Sequence, residues 1–104
     1  ERLLRSLGAS GRLIGFRYTV SIVEQLLDAP YERHWLTKCI YPETGKRFHV
    51  SASSVERAVR SVIDNCWARD DHRTLDYVAG VHLERRPTNS EFIDILVAFL
   101  KYKS

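Results

Sequence analysis

The sequence contains no methionine, only two cysteines and no apolar run near the ~18 residues of a membrane span. The last absence reads as a protein without a membrane-spanning segment, placed in the cytoplasm. Glu1-Arg2-Leu3-Leu4-Arg5 lacks the apolar stretch of a secretory signal. With no methionine to start it, the chain is expected to be a piece of a longer protein. Small secreted disulfide domains usually carry four or more cysteines. Cys39 and Cys66 both fall in apolar helical patterns and are expected as two small buried thiols in a reducing compartment. Repeats, low-complexity tracts and an obvious linker are also missing.

What is present amounts to one domain, residues 1–104. The 12.1 kDa chain is near the common domain size, and 44% apolar with 28% charged residues is the composition of a globular protein. The net charge of +3 is small but unevenly placed. Lys38, Lys46, Arg47, Arg57 and Arg60 face only Glu43 and Glu56 within their window, while 64–76 holds four acids against Arg69 and Arg73. A basic middle beside an acidic stretch suggests two surfaces with different partners.

Every convincing period is helical, which predicts an all-α fold, a compact bundle of about six helices. A short helix over 1–7 closes at Gly8, and Gly11 and Gly15 loosen the entry to the next. Phe16, Val20, Val23 and Leu27 mark an amphipathic helix ending near Asp28-Ala29-Pro30. Residues 31–40 form another periodic stretch, with Trp35, Leu36, Cys39 and Ile40 inward. Pro42 suits the first turn of a short helix running through Phe48. The longest helix follows Ser51, with Val55, Val59, Val62 or Ile63, and Cys66 inward and Trp67 beside them. Asp70-Asp71-His72 breaks it. Residues 73–79 form a short helix capped by Gly80, and 81–87 a loop with some strand-like alternation. Thr88 and Glu91 have capping-box spacing, with Thr88 or Asn89 as the cap. The last helix turns Phe92, Leu96, Phe99 and Leu100 inward, widened by Ile93, Ile95 and Val97.

Most enzyme and cofactor chemistries find no support. His34, His49, His72 and His82 lie 15, 23 and 10 apart, and neither cysteine has a partner at metal-ligand spacing. They read as four unrelated histidines, with no metal and no cofactor. A nucleophile with its base and oxyanion donors is missing, and Gly8, Gly11 and Gly15 do not form a phosphate cradle. The chain is not expected to be an enzyme.

The segment 42–68 carries the functional signal. A short helix, a tight turn and a longer helix make a helix-turn-helix, which needs a small residue where the helices meet. Gly45 supplies it. His49 tolerates a left-handed turn better than a β-branched residue does, and Val55 faces the core with Phe48 and Val50 around it. The inward valines leave Ser53, Ser54, Glu56, Arg57 and Arg60 on the exposed helix start, which in this motif enters the major groove. Arg57 can bond the O6 and N7 of a guanine, and Glu56 can accept from a cytosine amine. Ser51, as N-cap, leaves its helix N–H groups facing a phosphate. A basic, solvated helix face after an ordinary helical turn is the competing reading.

The residues also resemble a known family. Ser51-Ala52-Ser53-Ser54-Val55-Glu56-Arg57-Ala58-Val59-Arg60, Tyr41-Pro42 with Lys46-Arg47-Phe48, and Arg86-Pro87-Thr88-Asn89-Ser90-Glu91-Phe92-Ile93 are similar to the C-terminal DNA-binding domain of the stage 0 sporulation protein A family. The resemblance covers nearly the whole chain. It implies an output domain of a two-component response regulator, preceded by a phosphorylatable receiver domain. It further implies a monomer in isolation that dimerises on tandem DNA boxes when activated, and transcription control through the sigma subunit of RNA polymerase. Base contacts map onto Glu56 and Arg57, while Ser54 stands where the family carries an Arg. Thr44-Gly45 replaces a usual Ile-Ala, and Ser61 a common His. The loss of one guanine-reading Arg implies an altered or relaxed box.

The expected site is therefore Ser54, Glu56 and Arg57 at bases, and Lys46, Arg47, Ser51, Ser53 and Arg60 at phosphates. Asp70, Asp71 and Asp76 are expected to face polymerase. The alternative is a helical protein–protein interaction module that kept the fold and lost DNA binding.

Overall fold

The computed structural model describes residues 1–11, 13–28 and 36–103. Among them there is no strand, and six α-helices follow in order: α1 (Arg2–Ser6), α2 (Ile14–Leu27), α3 (Tyr41–Phe48), α4 (Ala52–Ala68), α5 (Arg73–Ala79) and α6 (Asn89–Lys103). A π-helical turn, Leu36–Ile40, leads into α3, and a 3-10 turn, Arg69–His72, joins α4 to α5. None of these helices is long and apolar enough to cross a membrane.

The core lies where α2, α4 and α6 meet. Ile22, Leu26, Val55, Val59, Val62, Ile63, Phe92, Ile93 and Leu96 are all essentially sealed from water. Each recurs at spacings of three or four on its helix, so one face of each helix turns inward. Burial of apolar surface at roughly 25 cal/mol per Å² drives this assembly.

Several inward assignments shift. Gly15 does not loosen the entry to α2; it is buried inside the helix, where a Cβ would lie 2.1 Å from the Ala58 carbonyl oxygen. The missing side chain lets α2 and α4 cross closely. That crossing rotates the buried stripe of α2 onto Thr19, Ile22 and Leu26, leaving Val20 and Leu27 half-buried. Thr19 bonds back to the Gly15 carbonyl at 2.7 Å, so its buried hydroxyl is satisfied.

Cys39 is exposed, not inward, whereas Ile40 is buried and Cys66 is too. The π turn carries an extra residue per turn, which breaks the three-and-four phase that placed Cys39 inside. Trp35 and the start of that stretch, together with Ala29-Pro30, lie outside the described residues. Both thiols are free. On α6, Ile93 and Val97 are buried while Phe99 and Leu100 are half-buried. Residues 81–87 form a loop without strand pairing.

Thr88 caps α6 as its spacing predicts: the Glu91 N–H donates to Thr88 Oγ1 at 3.2 Å, and the Thr88 N–H donates to Glu91 Oε1 at 2.8 Å. This reciprocal arrangement satisfies two of the helix's orphan donors.

Candidate nucleic-acid interface

The helix-turn-helix starts with Pro42 in the first turn of α3, where its missing N–H costs nothing. α3 ends at His49, whose φ of 61° and ψ of 42° are left-handed. The chain then reverses, and the Val50 N–H donates to the Gly45 carbonyl at 2.9 Å. A Cβ on Gly45 would lie 2.5 Å from the Val50 carbonyl oxygen, so the turn closes only over a glycine. Ser51 is the N-cap of α4 and accepts from the Ser54 N–H at 3.1 Å.

Val55 is fully buried, but its neighbours differ from the sequence reading. Phe48 is half-buried and packs on Tyr18 at 4.9 Å between ring centroids, while Val50 is exposed. Val50 turns outward because its carbonyl, not its side chain, faces Gly45.

The α2 helix braces α3 through polar contacts. Gln25 Nε2 donates to the buried Thr44 hydroxyl at 3.3 Å, and Arg47 Nη1 donates to Ser21 Oγ at 3.3 Å. Thr44 at this place therefore gains a partner that an aliphatic residue could not use. Arg47 remains exposed but is tethered, whereas Lys46 is exposed with no ion pair among the described residues.

At the start of α4, Ser51 Oγ donates to Ser54 Oγ at 2.9 Å and lies 3.3 Å from Ser53 Oγ. All three serines are exposed, so a cluster of hydroxyls rims the helix N-terminus. Glu56 and Arg57 then diverge, as neighbours 100° apart on a helix must. Arg57 is exposed beside a shallow groove of about 530 Å³ shared with Ile14, Val50, Ser54 and Ser61. Glu56 is half-buried and accepts from Arg60 Nη2 at 3.1 Å. It faces a different cleft, of about 330 Å³, lined by Tyr41, Arg60, Arg86, Thr88, Asn89 and Ser90.

That cleft holds two residues the spacing of the motif gave no reason to single out. Asn89 Nδ2 donates to the Glu56 carbonyl at 2.9 Å and to Tyr41 Oη at 3.2 Å, tying α6 to both helices of the motif. Burial raises the Tyr41 phenol above its usual pKa, and Asn89 partly offsets this. Arg86 bonds Asp64 on α4 and lends the cleft a second guanidinium. Only their distance in sequence hid them.

The acidic segment divides in the same way. Asp70 and Asp71 are exposed. Asp76 is taken up internally: Oδ1 accepts from the Leu83 N–H at 3.0 Å and Oδ2 lies 2.8 Å from His82 Nδ1. Trp67 is half-buried, and its ring stacks on His72 at 3.6 Å with 4° between planes. His72 and His82, unrelated by sequence spacing, thus share one corner of the fold with Asp76.

The motif geometry and the capped α6 agree with a family comparison. The model of the sporulation initiation factor Spo0A C-terminal domain matches residues 1–100. That match takes in every element from α1 into α6 and all of the residues discussed above. The chain therefore belongs to the Spo0A C-terminal family, that of a DNA-binding output domain of a sporulation response regulator.

Proposed function

We propose that this domain binds duplex DNA in a sequence-specific manner and regulates transcription as the output half of a two-component response regulator. The observation that carries the reading is the start of α4: three exposed serines and the exposed Arg57 stand on a helix that Gly45, His49 and the Ser51 cap hold at a fixed angle to α3. In a helix-turn-helix that end enters the major groove. Arg57 and Ser54 meet base edges there. Glu56 joins them by exchanging its Arg60 partner for a base amine.

Lys46, Arg47, Ser51, Ser53 and Arg60 meet phosphates on either side. Arg47 is held ready by Ser21, which reduces the entropy lost on contact. A receiver domain preceding this one controls dimerisation on tandem sites. The exposed Asp70 and Asp71 form the surface for the sigma subunit of polymerase, with Asp76 positioning the loop behind them rather than touching the partner. The role is regulatory, not enzymatic.

The test is duplex binding by the 104-residue chain as a function of salt. Each phosphate contact releases counterion, so three to five per domain give a log–log slope of about −3 to −4.5. Absence of salt-dependent binding to any duplex at low ionic strength would reject the reading in favour of a protein–protein module.

A further inference from the structure

We propose that His72, Asp76 and His82 form a binding site for a zinc-class divalent transition metal. One donor atom from each residue lies within 4.8 Å of the other two. Three separate features of the fold create this convergence. After Ala68 the backbone passes through three successive left-handed residues, Asp70, Asp71 and His72, with φ of 54°, 54° and 50°. This reversal lays the His72 ring flat against Trp67. Asp76, in the first turn of α5, lies within reach of His72, the left-handed residue that precedes that helix. Gly80 then ends α5 in a left-handed conformation and sends His82 back towards Asp76.

The donors are held as ligands need to be. The Leu83 N–H occupies Asp76 Oδ1 and leaves Oδ2 directed at His82. Stacking on Trp67 fixes the plane of His72. Such outer contacts orient ligands and raise metal affinity. Two imidazoles and one carboxylate favour zinc, copper, nickel or cobalt over magnesium and calcium, which prefer all-oxygen sites. Zinc bonds of about 2.0–2.1 Å separate tetrahedral donors by roughly 3.4 Å. The hydrogen-bonded pair at 2.8 Å must open slightly and the third donor close in. His82, with 74% of its side chain exposed, has the freedom to do so.

The ion takes the lone pair of His82 Nδ1 in the neutral tautomer that carries its proton on Nε2, and any proton shared between Nδ1 and Asp76 Oδ2 passes to solvent. Water completes the fourth position. The bound ion links the end of α4, α5 and the loop before α6, and adds positive charge to the acidic segment.

The experiment is zinc titration of the 104-residue chain at neutral pH in a Cys39→Ser background, which removes the exposed thiol as a competing ligand. One equivalent should bind, and saturating zinc should raise Tm by at least about 4 °C. His72→Gln and His82→Gln should each weaken zinc more than tenfold, and millimolar magnesium or calcium should produce no shift. His82→Gln is decisive, because that exposed side chain can change without unfolding the domain, as circular dichroism would verify. Zinc affinity that is unchanged in His82→Gln, or no binding at all, overturns the site.

Discussion

The side chain of Asn89 reaches across to the backbone of α4, donating to the Glu56 carbonyl at 2.9 Å. The same amide holds Tyr41 Oη on α3. One residue at the start of α6 thus fixes both helices of the motif, and the angle at which Arg57 is presented depends on it.

Asn89→Ala should therefore cost about 1–2 kcal/mol of stability, the range for a part-buried hydrogen bond whose partner is left unmade. Duplex affinity should fall as well, although Asn89 itself need not touch DNA. Chemical denaturation and a binding titration on the same sample separate the effects. Loss of stability with affinity unchanged in the folded fraction would mean that α6 does not set the motif's geometry.

Gly15→Ala tests the α2–α4 crossing. In an exposed helix that change gains up to about 1 kcal/mol. Here the new methyl meets the Ala58 carbonyl, a backbone atom that cannot rotate away. Overpacking of this kind costs about 1–3 kcal/mol, so the net effect should be destabilising. A rise in Tm would show that the two helices can separate without penalty.

Much of the helix-turn-helix was legible in the sequence because it is a local structure. Gly45, His49, Ser51 and Val55 each answer a requirement set within a dozen residues, and the Thr88–Glu91 cap is equally local. Gly15 was misread because a glycine at a helix entry and one seating another helix look alike until the second helix is placed. Cys39 was misread because the π turn shifts the helical phase. Asn89, Arg86 and the His72–Asp76–His82 corner depend on loops bringing distant residues together, which periodicity does not encode. Glu56 was expected to be available to bases; its tie to Arg60 depends on which rotamers the neighbouring cleft favours.

The thiols should react very differently. Burial pushes the Cys66 thiol up to about 11, so almost none is thiolate at neutral pH. Cys39 is exposed. A thiol-specific reagent should label one cysteine promptly in the native protein and the second only on unfolding. Equal rates for both would contradict the packing of α4 against the core.

Acid should weaken the α6 cap. The Thr88 N–H holds the Glu91 carboxyl below its usual range, opposed by a smaller desolvation and aided by the Thr88 side chain and Arg85. A carboxyl depressed in the folded state contributes stability above its unfolded pKa, about 4.3, and loses it as pH falls through the folded value. Asp76 behaves likewise, held down first by the Leu83 N–H. Glu91→Gln retains an acceptor for the Thr88 N–H, since Gln also serves in a capping box, but cannot titrate. It should lower Tm near neutral pH by the part of the cap that depends on the charge, and the difference from the parent should shrink in acid, so that its Tm declines less steeply. An identical decline in the variant would place the acid-sensitive groups elsewhere.

Base reading and phosphate anchoring should fail in different ways. Arg57 is exposed at the start of α4, free of any ion pair among the described residues, and oriented away from the Glu56–Arg60 pair. Arg57→Ala should weaken the preferred duplex by about 1–3 kcal/mol and leave non-specific binding nearly intact. Lys46→Ala, also at an exposed position, should weaken all duplexes alike and flatten the salt slope by about one. Arg60→Ala should also weaken all duplexes, through loss of the phosphate contact proposed for it, with a smaller loss on the preferred duplex because Glu56 is released for a base. Its effect on stability should stay within about 0.5 kcal/mol, as expected for an exposed i,i+4 pair. If Arg57→Ala and Lys46→Ala produce the same uniform loss across sequences, Arg57 contacts the backbone and the specific readout must come from Ser54 and Glu56.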